Sequence, residues 1–289
     1  MSATMVFVHG RGQEFKDPAE LVKKWQAGLA AGLVKAGAPA VSDAPVVLPY
    51  YGNLLYRITA ELAQRGEKIE LEALPADPDQ AGPLHPQLPR DVGALERQLV
   101  GDMADVAGAP LPDEEGLERL LSWGGTRRAL TWLSQHSAVD QEIIKSHLRD
   151  VAVYLTKARD QVLELCHNAI PSDVPIVLVS HSLGTVVARD LLDDADLRGR
   201  TVLWVTAGSP LGLEAVQKNL LTKGAHSPGV EWLTTYDVND IVALGHALGQ
   251  EWGAVTNIEV ENGDSPHSIE RYLGHPEVAG PIGTAVAAH

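Results

Sequence analysis

An apolar, strand-like run that ends in a tight turn of small residues constrains this chain more than any other feature. Ile176–Val179 is apolar throughout, residues 180–184 read Ser-His-Ser-Leu-Gly, and a helical pattern follows. Such a turn presents its central hydroxyl, here Ser182, at a sheet edge, and it needs small residues two positions away because strand and helix pass closely. Gly184 meets that need, whereas Ser180 stands where glycine is usual. The alternative is an ordinary strand–turn–helix whose serines cap the helix.

Short β-rich runs alternate with helical patterns near both ends of the chain. The other strand candidates are Met5–Val8, Val46–Leu48, Val202–Val205, Trp232–Tyr236 and Val255–Val260. Strands that are apolar on both faces, joined by helices such as the one predicted over Pro18–Lys35, are typical of parallel sheets covered on both sides. The sequence therefore predicts an α/β fold with a doubly wound, mostly parallel sheet, whose ligands bind at the carboxyl ends of the strands.

Residues 52–170, called the insertion below, break this alternation because they contain no evident strand. The helices predicted there are Leu54–Gln64, Val92–Val106, Gly116–Leu133 and Gln141–Ala169, with a Pro-rich, irregular segment over residues 75–89. We predict that the insertion is a helical cap between the second and third strands, and that residues 1–51 and 171–289 form the core. A purely structural helical extension is the alternative.

Charge and cysteine content exclude several classes of function. The 23 Lys and Arg against 38 Asp and Glu give a net charge of -15, which would repel phosphates, so no nucleic-acid partner is expected. Cys166 is the single cysteine and is expected to be buried filler, and no Cys/His cluster has zinc-like spacing. No metal or organic cofactor is expected. With no secretory leader and no apolar run long enough to cross a bilayer, a cytoplasmic protein without an integral membrane segment is expected.

A glycine-rich loop follows the first predicted strand and reads His-Gly-Arg-Gly-Gln over residues 9–13. Stabilising a tetrahedral oxyanion takes two N–H donors, one from the residue after the attacking serine and one from a loop of this kind. Leu183 and Arg11 are the candidates, each through its backbone N–H, and His9 is expected to brace the loop. A phosphate-binding loop is the rival, but no Gly-Lys-Ser/Thr sequence follows.

Candidate partners for a serine follow the last two predicted strands. A histidine must take the serine proton, and a carboxylate must orient that histidine. We predict His267 as the base and Asp240 as the acid, in the chain order serine, acid, histidine. Asp237 is the rival acid and Asp264 a third candidate, and for each the alternative is a solvated loop aspartate.

Three other histidines lie near candidate loops. His181 is next to Ser182, but a tight turn is expected to direct its side chain elsewhere. His246 and His275 lack a matching partner pattern. A lone histidine is more often structural than catalytic, and the position of His267 after the last strand distinguishes it from these three.

Three segments together resemble the α/β-hydrolase superfamily, near its bacterial lipase-like and serine-esterase-like branches. They are Phe7–Gln13, Ser180–Thr185, and Asp240 with His267. Lesser similarities are Thr206–Leu211, Asp240–Val242, and His267–Ser268 with Tyr272–Leu273. The resemblance covers about residues 1–50 and 174–273, and it does not cover the insertion.

This resemblance implies a serine hydrolase that cleaves a carboxylic ester or thioester through an acyl-enzyme intermediate. Ser182, Asp240 and His267 would form its catalytic triad, with Arg11 and Leu183 as the oxyanion hole. Two alternatives stay open: a catalytically idle fold that serves as a binding module, and a triad that cleaves amide or carbon–carbon bonds.

The substrate is the least constrained part of the prediction. A small-molecule or lipid ester is expected, and apolar residues of the insertion could line its pocket, although helical spacing more often indicates packing. These residues are Trp123, Leu130, Trp132 and Leu133. Residues 50–52 are expected at the pocket floor or rim. An anionic polymer is a poor substrate for so acidic a chain unless the cleft itself is basic.

Overall fold

The computed structural model describes residues 3–65, 90–106, 141–241 and 246–289. Its sheet has six strands, all parallel, in the order β2-β1-β3-β4-β5-β6. The strands are β1 (Thr4–Val8), β2 (Val46–Val47), β3 (Ile176–His181), β4 (Thr201–Ala207), β5 (Trp232–Asp237) and β6 (Thr256–Val260). The predicted α/β class, the parallel sheet and all six strand positions are confirmed.

Helices join these strands and cover both faces of the sheet. Those before β3 are α1 (Pro18–Ala36), α2 (Gly52–Arg65), α3 (Arg90–Val106), α4 (Gln141–Val153) and α5 (Arg159–Ala169), with a π-helical turn at Tyr154–Ala158. Those after β3 are α6 (Leu183–Leu191), α7 (Ala195–Arg200), α8 (Glu214–Asn219), α9 (Ile269–Leu273) and α10 (Pro276–Ala288). The helix predicted over Gln141–Ala169 is thus present but interrupted by the π-helical turn.

Alternate residues of each strand enter two separate cores because successive side chains point to opposite faces of a sheet. Met5 and Phe7 of β1 pack with α1, α9 and α10. Val6 and Val8 pack in a larger core with α6 and with the described helices of the insertion. Burial on both faces explains why the central strands are apolar throughout.

The described helices of the insertion share this larger core with the sheet. Leu55 of α2, Leu99 of α3 and Val151 of α4 belong to the same cluster as Val187 of α6. The predicted helix over Gly116–Leu133, its four apolar residues and the Pro-rich segment lie outside the described residues. Within the described part of the chain, no helix is both long and apolar enough to cross a membrane.

The strand register brings the turns after β1 and β3 side by side. Val8 pairs with Ser180, so the loop that starts at His9 lies next to the turn at Ser182. Because parallel strands all end at the same edge, the loops after β4, β5 and β6 open there as well. This carboxyl edge is where the residues singled out from the sequence come together.

Candidate active site

Ser182 occupies a sharp turn between β3 and α6, as the sequence predicts. Its backbone has φ 56° and ψ −131°, a conformation that non-glycine residues rarely adopt, and its side chain is 1% exposed. α6 begins at the next residue, so the positive end of the helix dipole points toward the Ser182 backbone. Such strained backbone is typical of functional sites, where the surrounding fold holds it in place.

The two small residues that flank Ser182 meet different requirements. A Cβ atom on Gly184 would lie 2.1 Å from the carbonyl oxygen of Val8, so α6 approaches β1 too closely for any side chain. At the other flank, the Ser180 hydroxyl donates to the carbonyl of Val205 at 3.1 Å and accepts from the Trp204 indole at 2.9 Å. The serine that replaces the usual glycine is therefore accommodated with its polar atom satisfied.

His267 and Asp240 form a hydrogen-bonded pair at the same edge of the sheet. Nδ1 of His267 lies 2.8 Å from Oδ2 of Asp240, whose side chain is buried. That oxygen also accepts a 2.7 Å hydrogen bond from the Tyr272 hydroxyl. With Nδ1 donating to a carboxylate, the other ring nitrogen of His267 is left as the proton acceptor.

Asp237, the rival acid, has a different set of partners. Its carboxylate accepts hydrogen bonds from the backbone N–H groups of Asn239 at 2.7 Å and Asn262 at 2.5 Å, which links the loops after β5 and β6. Asp264 is exposed. Of the three aspartates considered, Asp240 is the one whose carboxylate faces the imidazole of His267.

A cavity of about 290 Å³ opens at this edge, and both Ser182 and His267 line it. The other lining residues are His9, Gly10, Arg11, Gln13, Lys16, Leu21, Lys24, Trp25, His147, His181, Ser268, Ile269 and Glu270. The Ser182 hydroxyl is buried and has no hydrogen-bond partner among the described residues. A polar ligand atom in the cavity could therefore engage this hydroxyl directly.

The loop after β1 lies against Ser182, where the sequence places the oxyanion hole. A Cβ atom on Gly10 would stand 2.7 Å from Cβ and 3.2 Å from Oγ of Ser182, so only glycine fits without displacement. The side chain of Arg11, the next residue, pairs with Asp150 of α4 at 2.9 Å. The loop is thus held close to Ser182 and is fastened to the insertion.

His9 braces this loop, in agreement with the sequence-based expectation. Its Nδ1–H donates to the Gly10 carbonyl at 2.6 Å, and its Nε2 accepts from the Tyr51 N–H at 3.2 Å. Burial lowers the pKa of His9 to about 4, so the ring is neutral and can fill both roles. Tyr51 stacks on His9, and neither Tyr50 nor Tyr51 lines the cavity, so their predicted place at its floor or rim is wrong.

The prediction that the side chain of His181 points away from the site is also wrong. His181 is the last residue of β3, so strand alternation places it on the same face as Val177 and Val179. There its Nε2–H donates to the backbone carbonyl of His267 at 3.0 Å, and the two rings lie 4.5 Å apart. His181 therefore supports the segment that carries His267.

His147 of α4 is a site residue that the sequence analysis did not identify. Its ring lies 6.1 Å from that of His267, it lines the cavity, and its buried Nε2 has no partner among the described residues. Burial, followed by the nearby charges of His267 and Arg11, holds its pKa well below the usual range. His147 lies in the insertion, outside every recognisable motif, so no local signal indicated it.

The remaining candidates lie apart from the cavity. His275 bonds to the side chain of Asn262 at 3.0 Å, and His246 contacts its neighbouring backbone carbonyl. Cys166 is buried in the larger core, and this burial raises the pKa of its thiol to about 12. Among the described residues, no group of His, Cys, Asp and Glu side chains is arranged to hold a metal ion.

Comparison with known proteins adds no identification, since neither a protein-family model nor a curated protein matches this chain. The functional argument therefore depends on the geometry of the site.

Proposed function

We propose that this protein is a serine hydrolase with an α/β-hydrolase fold, and that it cleaves carboxylic esters or thioesters. One observation carries the proposal: Ser182, in a strained strand-to-helix turn, shares a cavity with His267, whose Nδ1 is bonded to the buried Asp240. A nucleophile, a base and an acid that orients the base are the three parts required for acyl transfer.

In the first step, the Ser182 hydroxyl attacks the substrate carbonyl while His267 accepts the hydroxyl proton. Asp240 fixes the tautomer of His267 and stabilises the imidazolium that forms. The structure shows no hydrogen bond between the Ser182 hydroxyl and His267. Catalytic hydrogen bonds are often long before substrate binds, and they tighten in the reacting complex.

The oxyanion of the tetrahedral intermediate requires donors beside Ser182. The backbone N–H groups of Arg11 and Leu183 fill this role in the proposal, because the β1 loop touches Ser182 and Leu183 begins α6. Each such donor is typically worth about 3 kcal/mol of transition-state stabilisation. His267 then returns its proton to the leaving alcohol or thiol.

In the second step, His267 activates a water molecule that hydrolyses the acyl-enzyme. The insertion contributes His147 to the cavity lining, and its Asp150 anchors the loop that carries Arg11. We propose that the insertion is a cap that forms one wall of the acyl or alcohol pocket.

The alternative of a catalytically idle binding module gains no support from Ser180, since that residue is accommodated without loss of hydrogen bonds.

Labelling by a fluorophosphonate probe tests the proposal, because the probe modifies only an activated serine. The wild-type protein should gain one label, and Ser182→Ala should gain none. Ser268→Ala is the matched control, because Ser268 lines the same cavity, and it should label like the wild type. Labelling that persists in a folded Ser182→Ala protein would identify a different nucleophile.

A panel of nitrophenyl esters, anilides and thioesters defines the bond that is cleaved. Turnover of esters or thioesters that disappears in Ser182→Ala supports the proposed reaction. A folded, probe-labelled protein that cleaves only the anilides would point to amide hydrolysis instead. A folded protein that neither labels nor turns over any member would support the idle binding module.

A further inference from the structure

The charged residues of the cavity are mainly cationic, although the chain carries a net charge of -15. They are Arg11, Lys16, Lys24 and Glu270. A cleft lined by one sign of charge concentrates ligands of the opposite sign, even on a protein of unfavourable net charge. The local excess of positive charge therefore bears on the choice of substrate.

Arg11 is already engaged within the protein and does not account for this excess. Its guanidinium pairs with Asp150 at 2.9 Å, and the same carboxylate accepts a second guanidinium, that of Arg149, at 3.1 Å. Arg149 does not line the cavity, so Arg11 is balanced there by Asp150 and the excess positive charge rests on the two lysines.

Lys16 and Lys24 have no acidic partner among the described residues. The Lys16 ammonium donates to the neutral side-chain amide of Gln13 at 3.2 Å. By contrast, Lys23, which does not line the cavity, pairs with Glu20 at 2.6 Å. The Glu270 carboxylate accepts a hydrogen bond from the Ser268 hydroxyl at 3.0 Å and forms no ion pair with either lysine.

Apolar side chains accompany these two lysines in the lining. Leu21 and Trp25 line the cavity from α1 and are four residues apart, so they are neighbours on the helix, and Lys24 lies three residues after Leu21. Ile269 lines the cavity from α9. The cavity thus combines the Ser182 hydroxyl, an aliphatic and aromatic lining, and two ammonium groups that form no ion pair with any described carboxylate.

We propose that the substrate is an ester whose acyl chain carries a terminal anion, a carboxylate or a phosphate, held by Lys16 and Lys24. The short apolar chain contacts Leu21, Trp25 and Ile269, and the ester carbonyl reaches Ser182. This inference rests on the proposed hydrolase function and specifies its substrate class.

Two esters matched in length test the proposal: the mono-p-nitrophenyl ester of adipic acid and p-nitrophenyl hexanoate. They differ in a terminal carboxylate that replaces a methyl group. At low ionic strength, kcat/KM should be about tenfold higher for the adipate ester, and added salt should reduce that preference because it screens exposed charges. Equal rates, or faster turnover of the hexanoate, would overturn the proposal.

Single substitutions then assign the preference to the two lysines. Lys16→Gln and Lys24→Gln should each lower the ratio of kcat/KM for the adipate ester to kcat/KM for the hexanoate about threefold, the effect of losing one partly exposed charge pair. Lys23→Gln is the matched control on the same helix and should change neither rate. A preference that survives the Lys16→Gln/Lys24→Gln double variant would overturn the assignment.

Competitive inhibition by adipate and by 6-(phosphonooxy)hexanoate distinguishes the two anions, since the tighter inhibitor identifies the preferred group.

The outcomes distinguish a failure of the proposed hydrolase function from a failure of the proposed anionic preference. A protein that hydrolyses neither ester and resists fluorophosphonate labelling is not the proposed hydrolase. A protein that is labelled and hydrolyses both esters alike is a hydrolase without the anionic preference.

Discussion

The Tyr272 hydroxyl donates a 2.7 Å hydrogen bond to Oδ2 of Asp240, the same oxygen that faces His267. Tyr272 itself accepts from the backbone N–H of Asp237, at the end of β5, at 3.1 Å. Burial, and then the charge of Asp240, raise the pKa of Tyr272 above its ordinary value, so the hydroxyl stays protonated and remains a donor. The sheet thus fixes the imidazole through a chain of three hydrogen bonds.

Tyr272→Phe should lower kcat about tenfold with little change in KM, because Asp240 loses one of the contacts that orient it for His267. Stability should fall by about 1 kcal/mol, the usual effect of one buried hydrogen bond. Tyr236→Phe is the control, since its hydroxyl bonds to Glu259 at the surface of β5 and β6. Steady-state kinetics measure kcat, and urea unfolding measures the change in stability. An equal loss of kcat in both variants would contradict the positioning role of Tyr272.

The close approach of α6 to β1 predicts a strong effect of one added methyl group. Gly184→Ala would place Cβ 2.1 Å from the Val8 carbonyl, and overpacking of this kind costs about 1–3 kcal/mol or more. Gly101→Ala in α3, where no described atom from outside this stretch of the helix lies within 4 Å of the new Cβ, should instead stabilise the protein by about 0.5–1 kcal/mol. Urea unfolding measures both changes, and equal stability of the two variants would contradict this account of the turn.

Local sequence signals were sufficient to predict the sheet, and they also indicated the three residues that we propose as a triad. The central strands β1, β3 and β4 are largely apolar because both of their faces are buried. Ser182 follows β3 directly, whereas Asp240 and His267 lie in the loops after β5 and β6. The orientation of His181 was also predictable, because extending the alternation of β3 by one residue places it with Val179.

Contacts between the insertion and the rest of the chain were not predictable from local sequence signals. Arg11 and Asp150 are 139 positions apart, and His147 reaches His267 only because α4 packs into the core of the sheet. Helical periodicity predicts that α4 buries one face, but it does not identify the neighbour of each buried residue. The cationic lining of the cavity was equally hidden, because Lys16 and Lys24 look like ordinary surface lysines in the sequence.

The buried state of His9 predicts a loss of stability in mild acid. Its pKa is about 4 in the folded protein and about 6.5 in the unfolded chain, so only the unfolded state gains a proton between these values. The contribution of neutral His9 to the free energy of unfolding is complete above pH 6.5 and declines as the pH falls toward 4. Its full loss lowers the free energy of unfolding by about 3 kcal/mol. Urea unfolding between pH 7.5 and 4.5 measures this decline.

His9→Gln isolates the contribution of this one residue, because glutamine does not titrate and can still accept from the Tyr51 N–H. The stability difference between wild type and variant should shrink as the pH falls from 7.5 to 4.5, since carboxylates and the other histidines titrate in both proteins. A difference that is constant across this range would show that His9 is not held neutral by burial.

Asp240 and Asp237 have different hydrogen-bond partners, so we expect Asp240 to act in catalysis and Asp237 to stabilise the fold. Asp240→Asn should lower kcat by about 10⁴, because an amide cannot hold the required tautomer of His267 or stabilise its protonated form. Asp237→Asn should leave kcat within about tenfold of the wild type but reduce the free energy of unfolding by about 1–3 kcal/mol. The two carboxylate oxygens each accept from one backbone N–H, whereas the amide of asparagine has a single acceptor oxygen, so one of the two N–H groups loses its partner. Nitrophenyl ester kinetics and urea unfolding on both variants measure these effects, and the reverse pattern would make Asp237 the acid of the triad.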